Sequence, residues 1–336
     1  MARIAVDLIG QGLPLEGALD QLITALDSDP QLTLTVVAPT GDVEPVAAER
    51  GLLAGGRVRL VDARRGVAPG PDALREVRAR RDSGVRIAAR LVRDGQADAM
   101  VSLAPLEAVL AAARFTFGLV PGATRAAAAV TLRLGPGGLG PTGRPVILCD
   151  AGGSVDVTAD ELAQFALVGA RLSRARHGVD SPRVGLLSAR PALLDPLRRS
   201  AGDLLASLGV DFVGPVTADR LLAGAGAGAD VVVTDGFTGD VLLAALGPSI
   251  GGAPDEPGRT PGQADTSQPQ GGMIVLGVDG TAVRVGDLPV VGPVPPGALP
   301  VAVGAAVGAV RAGLAGSVRD AMATLVERRR ELAGLS

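Results

Sequence analysis

The 336-residue chain contains no lysine, asparagine, tryptophan or tyrosine, and all 32 basic residues are arginines. Any mechanism that needs a lysine amine or an asparagine amide is therefore excluded. Five phenylalanines are the whole aromatic complement, so the core has to be built from Ala, Val, Leu and Ile. A single cysteine, Cys149, excludes an intrachain disulfide and a cysteine zinc cluster, and no residues stand at metal-ligand spacing. No cofactor motif is present, and none is expected. The net charge of −3 provides no global basic field to recruit nucleic acid. The longest weakly polar run, GALPVAVGAAVGAVRAGLAG at 297–316, is made largely of Ala and Gly and is broken by Arg311. It falls short of the ~20 strongly apolar residues of a membrane span and reads as a helix. Its Gly304, Gly308 and Gly316 are spaced for close backbone approach. The opening MARIAVDLIGQG has too short an apolar stretch for a signal peptide and reads as a first strand. A cytoplasmic protein is expected.

What is present is alternation. Apolar runs at 3–8, 32–38, 57–61, 97–103, 126–132, 145–150, 183–188 and 229–235 read as strands. Several lack a polar face, as strands covered on both sides do. Helical stretches lie near 14–27, 72–95, 105–117, 158–177, 191–208 and 238–246. This order predicts one α/β domain over 1–336, with a mostly parallel sheet and helices on both sides of it. Thr158-Ala159-Asp160-Glu161 has the spacing of a capping box. The Gly/Pro/Ser/Gln-rich segment 247–270 reads as a flexible loop. A hairpin is predicted at 272–285 with its turn at Asp279-Gly280, followed by a C-terminal helix over about 298–333.

In such folds ligands bind at the carboxyl ends of strands. Three strand ends share one pattern, an Asp followed by small residues: Asp7 with Gly10; Asp150 with Gly152, Gly153 and Ser154; and Asp235 with Gly236 and Gly239. Glycines let amides turn toward an anion, and a helix start adds a favourable dipole. The same residues also simply make tight turns.

Beyond these motifs the chain resembles the phosphate acyltransferases of bacterial phospholipid synthesis, the PlsX family. The likeness is carried by RIAVD at 3–7, RRDSGVRIAARLVRDGQADAMVS at 80–102, ILCDAGGSVDVTADELAQFALVGA at 147–170, SPRVGLLS at 181–188, ADVVVTDGFTGDVLL at 229–243 and GGMIVLGVDG at 271–280. The resemblance implies a Rossmann-like three-layer sandwich of isocitrate dehydrogenase-like architecture, a homodimer, and transfer of a fatty acyl group from acyl carrier protein to inorganic phosphate. Carried over by position, it places Asp7, Gly10, Ser102, Asp150, Gly152, Gly153, Asp235, Gly236 and Gly239 around the cleft, with no catalytic residue assigned. Arg80, Arg81 and Arg190 are candidates for contacts to phosphate or to the carrier protein.

The departures matter as much. Where the family has a small polar loop after the strand ending at Ser102, this chain has Leu103-Ala104-Pro105-Leu106-Glu107. Pro105 offers no amide hydrogen, and a Glu107 carboxylate beside phosphate would repel it. This corner is therefore expected to be a weakened anion site, and a catalytically degenerate homologue that keeps the scaffold for protein interaction is the alternative function. The family's long helix pair, associated with membranes, is replaced by 247–270, which argues against membrane docking. Seven arginines between 75 and 93 form a basic segment that suits phosphate, an acidic carrier or plain solvation. His177 reads as a helix-end residue and Cys149 as a buried core residue.

Overall fold

The computed structural model describes residues 1–10, 12–135, 138–139, 143–190, 195–221, 223, 228–251, 272–286, 294, 296–332 and 334. The chain forms two compact units, one from residues 1–120 and 271–317, the other from 121–270 and 318–336. The strands, in chain order, are β1 (Ala2–Asp7), β2 (Leu32–Ala38), β3 (Val58–Asp62), β4 (Ala99–Ser102), β5 (Ala127–Gly135), β6 (Gly138–Leu139), β7 (Arg144–Cys149), β8 (Arg183–Leu187), β9 (Asp211–Val216), β10 (Val231–Val233), β11 (Met273–Leu276) and β12 (Ala282–Arg284).

In the first unit the strand order is β3-β2-β1-β4-β12-β11. Every pairing there is parallel except β11 with β12. Ala2, Ile4, Ala5 and Val6 of β1 are fully buried, which is why the run shows no polar alternation. The order reverses between β1 and β4, whose last residues, Asp7 and Ser102, are register partners. That is the topological switch point of an open α/β sheet, where a crevice forms. The predicted helix over 72–95 is two helices, Ala73–Ala79 and Gly84–Arg93. Ser83 breaks it: its backbone is extended at φ −70, ψ 149, its hydroxyl donates to the Arg80 carbonyl, and the Gly84 amide donates to the Arg65 carbonyl. The hairpin is present, but its register pairs Val275 with Ala282, which centres the turn on Val278-Asp279, one residue before the Asp-Gly pair. Val278 instead bridges to Leu119.

In the second unit the order is β5-β7-β10-β8-β9, with β6 paired to β5. The strands from β7 to β9 run parallel, and β5 is antiparallel to β7. Helix Ala159–His177 packs on β7 and β10. Its capping box is formed as the sequence predicts: Thr158 accepts from the Glu161 amide at 3.2 Å and its own amide donates to Glu161 Oε2 at 2.9 Å. Strand β9 has no counterpart in the sequence reading because Gly214 and Pro215 interrupt it. It tolerates them as the end strand beyond β8, with a bulge opposite Val184/Gly185 that leaves Val213 unpaired.

Residues 247–251 complete helix Gly236–Gly251 rather than beginning a loop, and the rest of the expected loop, 252–270, lies outside the described residues. The C-terminal helix is also two, Ala298–Arg311 and Leu314–Leu332, separated at Gly313, whose φ of 63 is left-handed backbone that ends a helix. Among the described residues, no single helix is long and apolar enough to cross a membrane. A side chain added at Gly304, Gly308 or Gly316 would meet nothing within 4 Å, so their spacing does not reflect close packing in this chain.

Candidate functional site

At the switch point of the first unit, Asp7 and Ser102 are both fully buried. The Ser102 hydroxyl donates to Asp7 Oδ2 at 2.7 Å, the Ile9 amide donates to Asp7 Oδ1 at 3.0 Å, and the Ala104 amide donates to Ser102 Oγ at 3.0 Å. Burial raises the Asp7 carboxyl to about 7 against these two stabilising bonds from Ser102 and Ile9. Desolvation is the larger effect because no cation among the described residues pairs with it. Helix Gly84–Arg93 starts on this carboxyl, and a Cβ at Gly84 would overlap Asp7 Oδ1. Gly10 lies against the Leu103 carbonyl just as closely, so its glycine identity is a packing requirement.

Leu103, Ala104 and Leu106 are buried over the corner. Glu107 Oε1 accepts the Gly70 amide at 2.9 Å and anchors that loop. The Ile9 and Ala104 amides are thus directed at the corner's own side chains, and those of Gly10 and Leu103 at its carbonyls.

The other two corners meet within the second unit. Asp150 follows β7, and its carboxylate accepts four hydrogen bonds: from the amides of Ala128 at 2.8 Å, Ala151 at 2.7 Å and Gly153 at 3.0 Å, and from the Ser154 hydroxyl at 2.8 Å. Ser154 Oγ in turn accepts the Gly236 amide at 3.0 Å, which joins the two strand ends. Burial lifts Asp150 to about 6, opposed by all four donors. Asp235 accepts the Thr238 amide and hydroxyl, each at 2.8 Å.

Of the glycines that resembled an anion loop, Gly153 turns its amide onto the chain's own Asp150 carboxylate, and Gly236 reaches it through Ser154. Gly152 has φ 100, which the turn requires. Added side chains at Gly153 and Gly236 would press on the Asp150 carboxylate at 2.8 and 2.7 Å, and one at Gly239 would overlap the Asp150 carbonyl oxygen. Gly239→Ala is accordingly expected to destabilise the protein by about 1–3 kcal/mol through overpacking, although alanine is the better helix former. Gly304→Ala, in a helix interior with open space around it, should stabilise by about 0.5–1 kcal/mol. Urea midpoints of the two variants check the contrast.

Arg198 is the residue the sequence reading missed. Nη2 donates to Asp235 Oδ2 at 3.1 Å, Nη1 to Asp195 Oδ2 at 3.0 Å and Nε to the Leu187 carbonyl at 2.7 Å, with only 17% of the side chain exposed. It brings a guanidinium to the ends of β8 and β10. A signal existed: Asp195-Pro196 marks a helix start, and a cation in a first turn opposes the helix dipole unless a specific partner holds it.

Of the three sequence candidates, Arg80 pairs with Glu76 at 3.3 Å, while Arg81 and Arg190 are exposed. His177 is half-buried with Nε2 3.3 Å from Thr131 Oγ1. Burial first, then Arg176 and Arg133, lower its pKa to about 4, so it is neutral at physiological pH. Cys149 is buried, and burial pushes its thiol well up. Among the described residues no cluster of side chains is arranged to hold a metal ion.

Comparison with known proteins identifies relatives of the whole chain rather than of the site. A phosphate acyltransferase of Aeromonas salmonicida is 33% identical over 245 residues, 71% of this chain and 69% of that relative. One from Levilactobacillus brevis is 34% identical over 247 residues, 73% and 68% of the two chains. A phosphotransacetylase structure from Streptococcus pyogenes superposes with a TM-score of 0.59, covering 93% of this chain and 94% of that one at 16% identity, a likeness of fold. The profile of the family described as fatty acid synthesis protein matches residues 2–249. The chain belongs to that family.

Proposed function

We propose that the protein is a phosphate acyltransferase that moves a fatty acyl group from acyl carrier protein to inorganic phosphate, giving acyl phosphate for phospholipid synthesis. The observation that carries this reading is the 33–34% identity to phosphate acyltransferases over more than two thirds of both chains. In the reaction an oxygen of hydrogen phosphate attacks the thioester carbonyl, the new carbon–oxygen bond replaces the carbon–sulfur bond, and the carrier's thiolate leaves and takes up the proton that the phosphate gives up. Phosphate is itself the nucleophile, so the protein's part is to position it and stabilise charge.

With no lysine or asparagine, that stabilisation falls to guanidinium groups, hydroxyls and backbone amides. Asp7, Gly10, Ser102, Asp150, Gly152, Gly153, Asp235, Gly236 and Gly239 are the positions we place around the substrates, with Arg190, Arg80 and Arg81 as contacts to phosphate or carrier. The buried carboxylates act on this reading by fixing the strand-end turns. Arg198, neutralised by Asp235 and Asp195, fixes the turn after β10. A cytoplasmic homodimer is part of the same reading.

Purified protein supplied with acyl-acyl carrier protein and phosphate should release acyl phosphate, trapped as the hydroxamate, in proportion to phosphate. Absence of product across short, medium and long acyl chains rejects the proposal.

A further inference from the structure

Helix Gly84–Arg93 places Arg86, Arg90 and Arg93 at i, i+4 and i+7, so the three cations leave one face of it. Like charges at this spacing repel, and the chain gives them little relief. Arg93 has Asp94 at 2.8 Å, and one Arg90 nitrogen donates to the Arg81 carbonyl. Arg86 is worse placed. Its Nε and Nη1 are shielded from solvent and have no hydrogen-bond partner among the described residues. Burial, then Arg90, Arg81 and Arg93, lower its pKa.

Two residues past the helix, Gly95 and Gln96 line a cavity of about 420 Å³ together with Arg3, Arg57 and Arg59. Arg3 is answered by Asp98, whereas Arg59 has Gln96 Oε1 at 3.2 Å as a neutral partner. A chain of net charge −3 thus concentrates cations along one helix and at its carboxyl end.

We propose that this face, helix Gly84–Arg93 continued by the Arg57 and Arg59 cavity, is the docking surface for an acidic protein, namely the acyl carrier of the proposed reaction. The inference rests on that reaction for the identity of the partner. Three features on the molecule support it. The helix cations span seven residues, about 10 Å of helix at ~1.5 Å per residue, which is wider than one phosphate and suits a row of carboxylates on a partner's surface. The Arg86 guanidinium, part-desolvated and repelled by Arg90, Arg81 and Arg93, is relieved by negative charge brought to the same face. The amino end of the helix abuts Asp7, so a partner seated along it reaches the switch-point corner.

The test compares the wild-type protein with R86Q/R90Q and R86K/R90K. Binding of holo-acyl carrier protein is measured by calorimetry at low and high salt, alongside KM and kcat for acyl-acyl carrier protein. The glutamine pair should raise Kd and KM at least tenfold, leaving kcat within twofold, while the lysine pair, which keeps both charges, stays within threefold. Wild-type affinity should fall steeply with salt. The glutamine pair's urea midpoint should equal or exceed wild type, because repulsion is removed.

An unchanged Kd in the glutamine pair overturns the proposal, and so does an equal loss in the lysine pair. Tighter binding of a 20-base-pair DNA duplex or of phosphatidylglycerol vesicles than of carrier protein, abolished by the same glutamine substitutions, reassigns the face and also overturns it. Calorimetry needs no turnover, so docking is decided even if the reaction fails; turnover with unaltered KM in the glutamine pair removes docking and leaves the reaction standing.

Discussion

Asp150→Ala is expected to lower the unfolding free energy by about 4 kcal/mol, whereas Asp150→Asn should cost no more than ~1.5 kcal/mol. The difference follows from counting acceptors. The alanine variant leaves three amides and a hydroxyl without the carboxylate they donate to, and each buried unsatisfied donor costs about 1–3 kcal/mol. One effect opposes this: the burial that raises Asp150 to about 6 shows that ionising it is unfavourable, and alanine has no charge to bury. That relief is worth ~3 kcal/mol at neutral pH, less than the donors lose.

Asparagine keeps an oxygen at the Oδ1 position, where all three amides converge, and carries no charge. Only the Ser154 bond has to rearrange, since Ser154 Oγ also accepts the Gly236 amide. Urea titration followed by circular dichroism should show the alanine transition shifted far below wild type and the asparagine transition close to it. Equal shifts would mean that the charge, and not the set of acceptors, holds this turn. Acyl phosphate formation by the folded asparagine variant then reports whether the carboxylate's charge also matters to the reaction.

How much of this was legible in the sequence depends on the range of each interaction. The capping box at Thr158 and Glu161 closes over three residues, so the spacing alone predicts it, yet the Arg125 guanidinium that pairs with Glu161 at 2.8 Å comes from outside the helix and left no pattern. The apolar runs of β1, β2, β4 and β7 were readable because both faces are covered. Strand β9 was not, because an edge position excuses the glycine and proline that argue against a strand. Asp7, Asp150 and Asp235 stood out as strand-end residues, but what their neighbouring amides face did not. The glycine-rich turns have the composition of an anion cradle, and composition does not distinguish a ligand's phosphate from the chain's own carboxylate. Gly84 does not stand out because its reason, an Asp7 oxygen standing where a Cβ would be, lies 77 positions away in sequence.

The same buried Asp7 makes stability depend on pH in a direction opposite to the usual carboxylate. An Asp in the unfolded chain ionises near 3.8, while in the folded protein burial holds Asp7 protonated up to about 7. Between those values the folded state binds the extra proton, so raising the pH favours unfolding. The contribution is fully present below about pH 3, is lost progressively as pH rises toward 7, and is gone above about pH 7.5. A rise from 3.8 to about 7 corresponds to ~4 kcal/mol at full extent.

Asp150 slopes the same way up to about pH 6, and His177, lowered to about 4, slopes the other way up to its unfolded value. Neither obscures the measurement if the Asp7→Asn variant is compared with wild type at every pH, because both groups are common to the pair and cancel. The unfolding free energy of the variant minus that of wild type should therefore climb by ~4 kcal/mol between about pH 3 and 7.5 and then level off. Its value at about pH 3 measures separately what Ser102 and Ile9 lose by exchanging a carboxyl for an amide. A difference that stays flat across this range would show that Asp7 is ionised in the folded protein and that its bonds from Ser102 and Ile9 outweigh desolvation; the switch-point corner would then carry a fixed negative charge, the arrangement least able to receive phosphate.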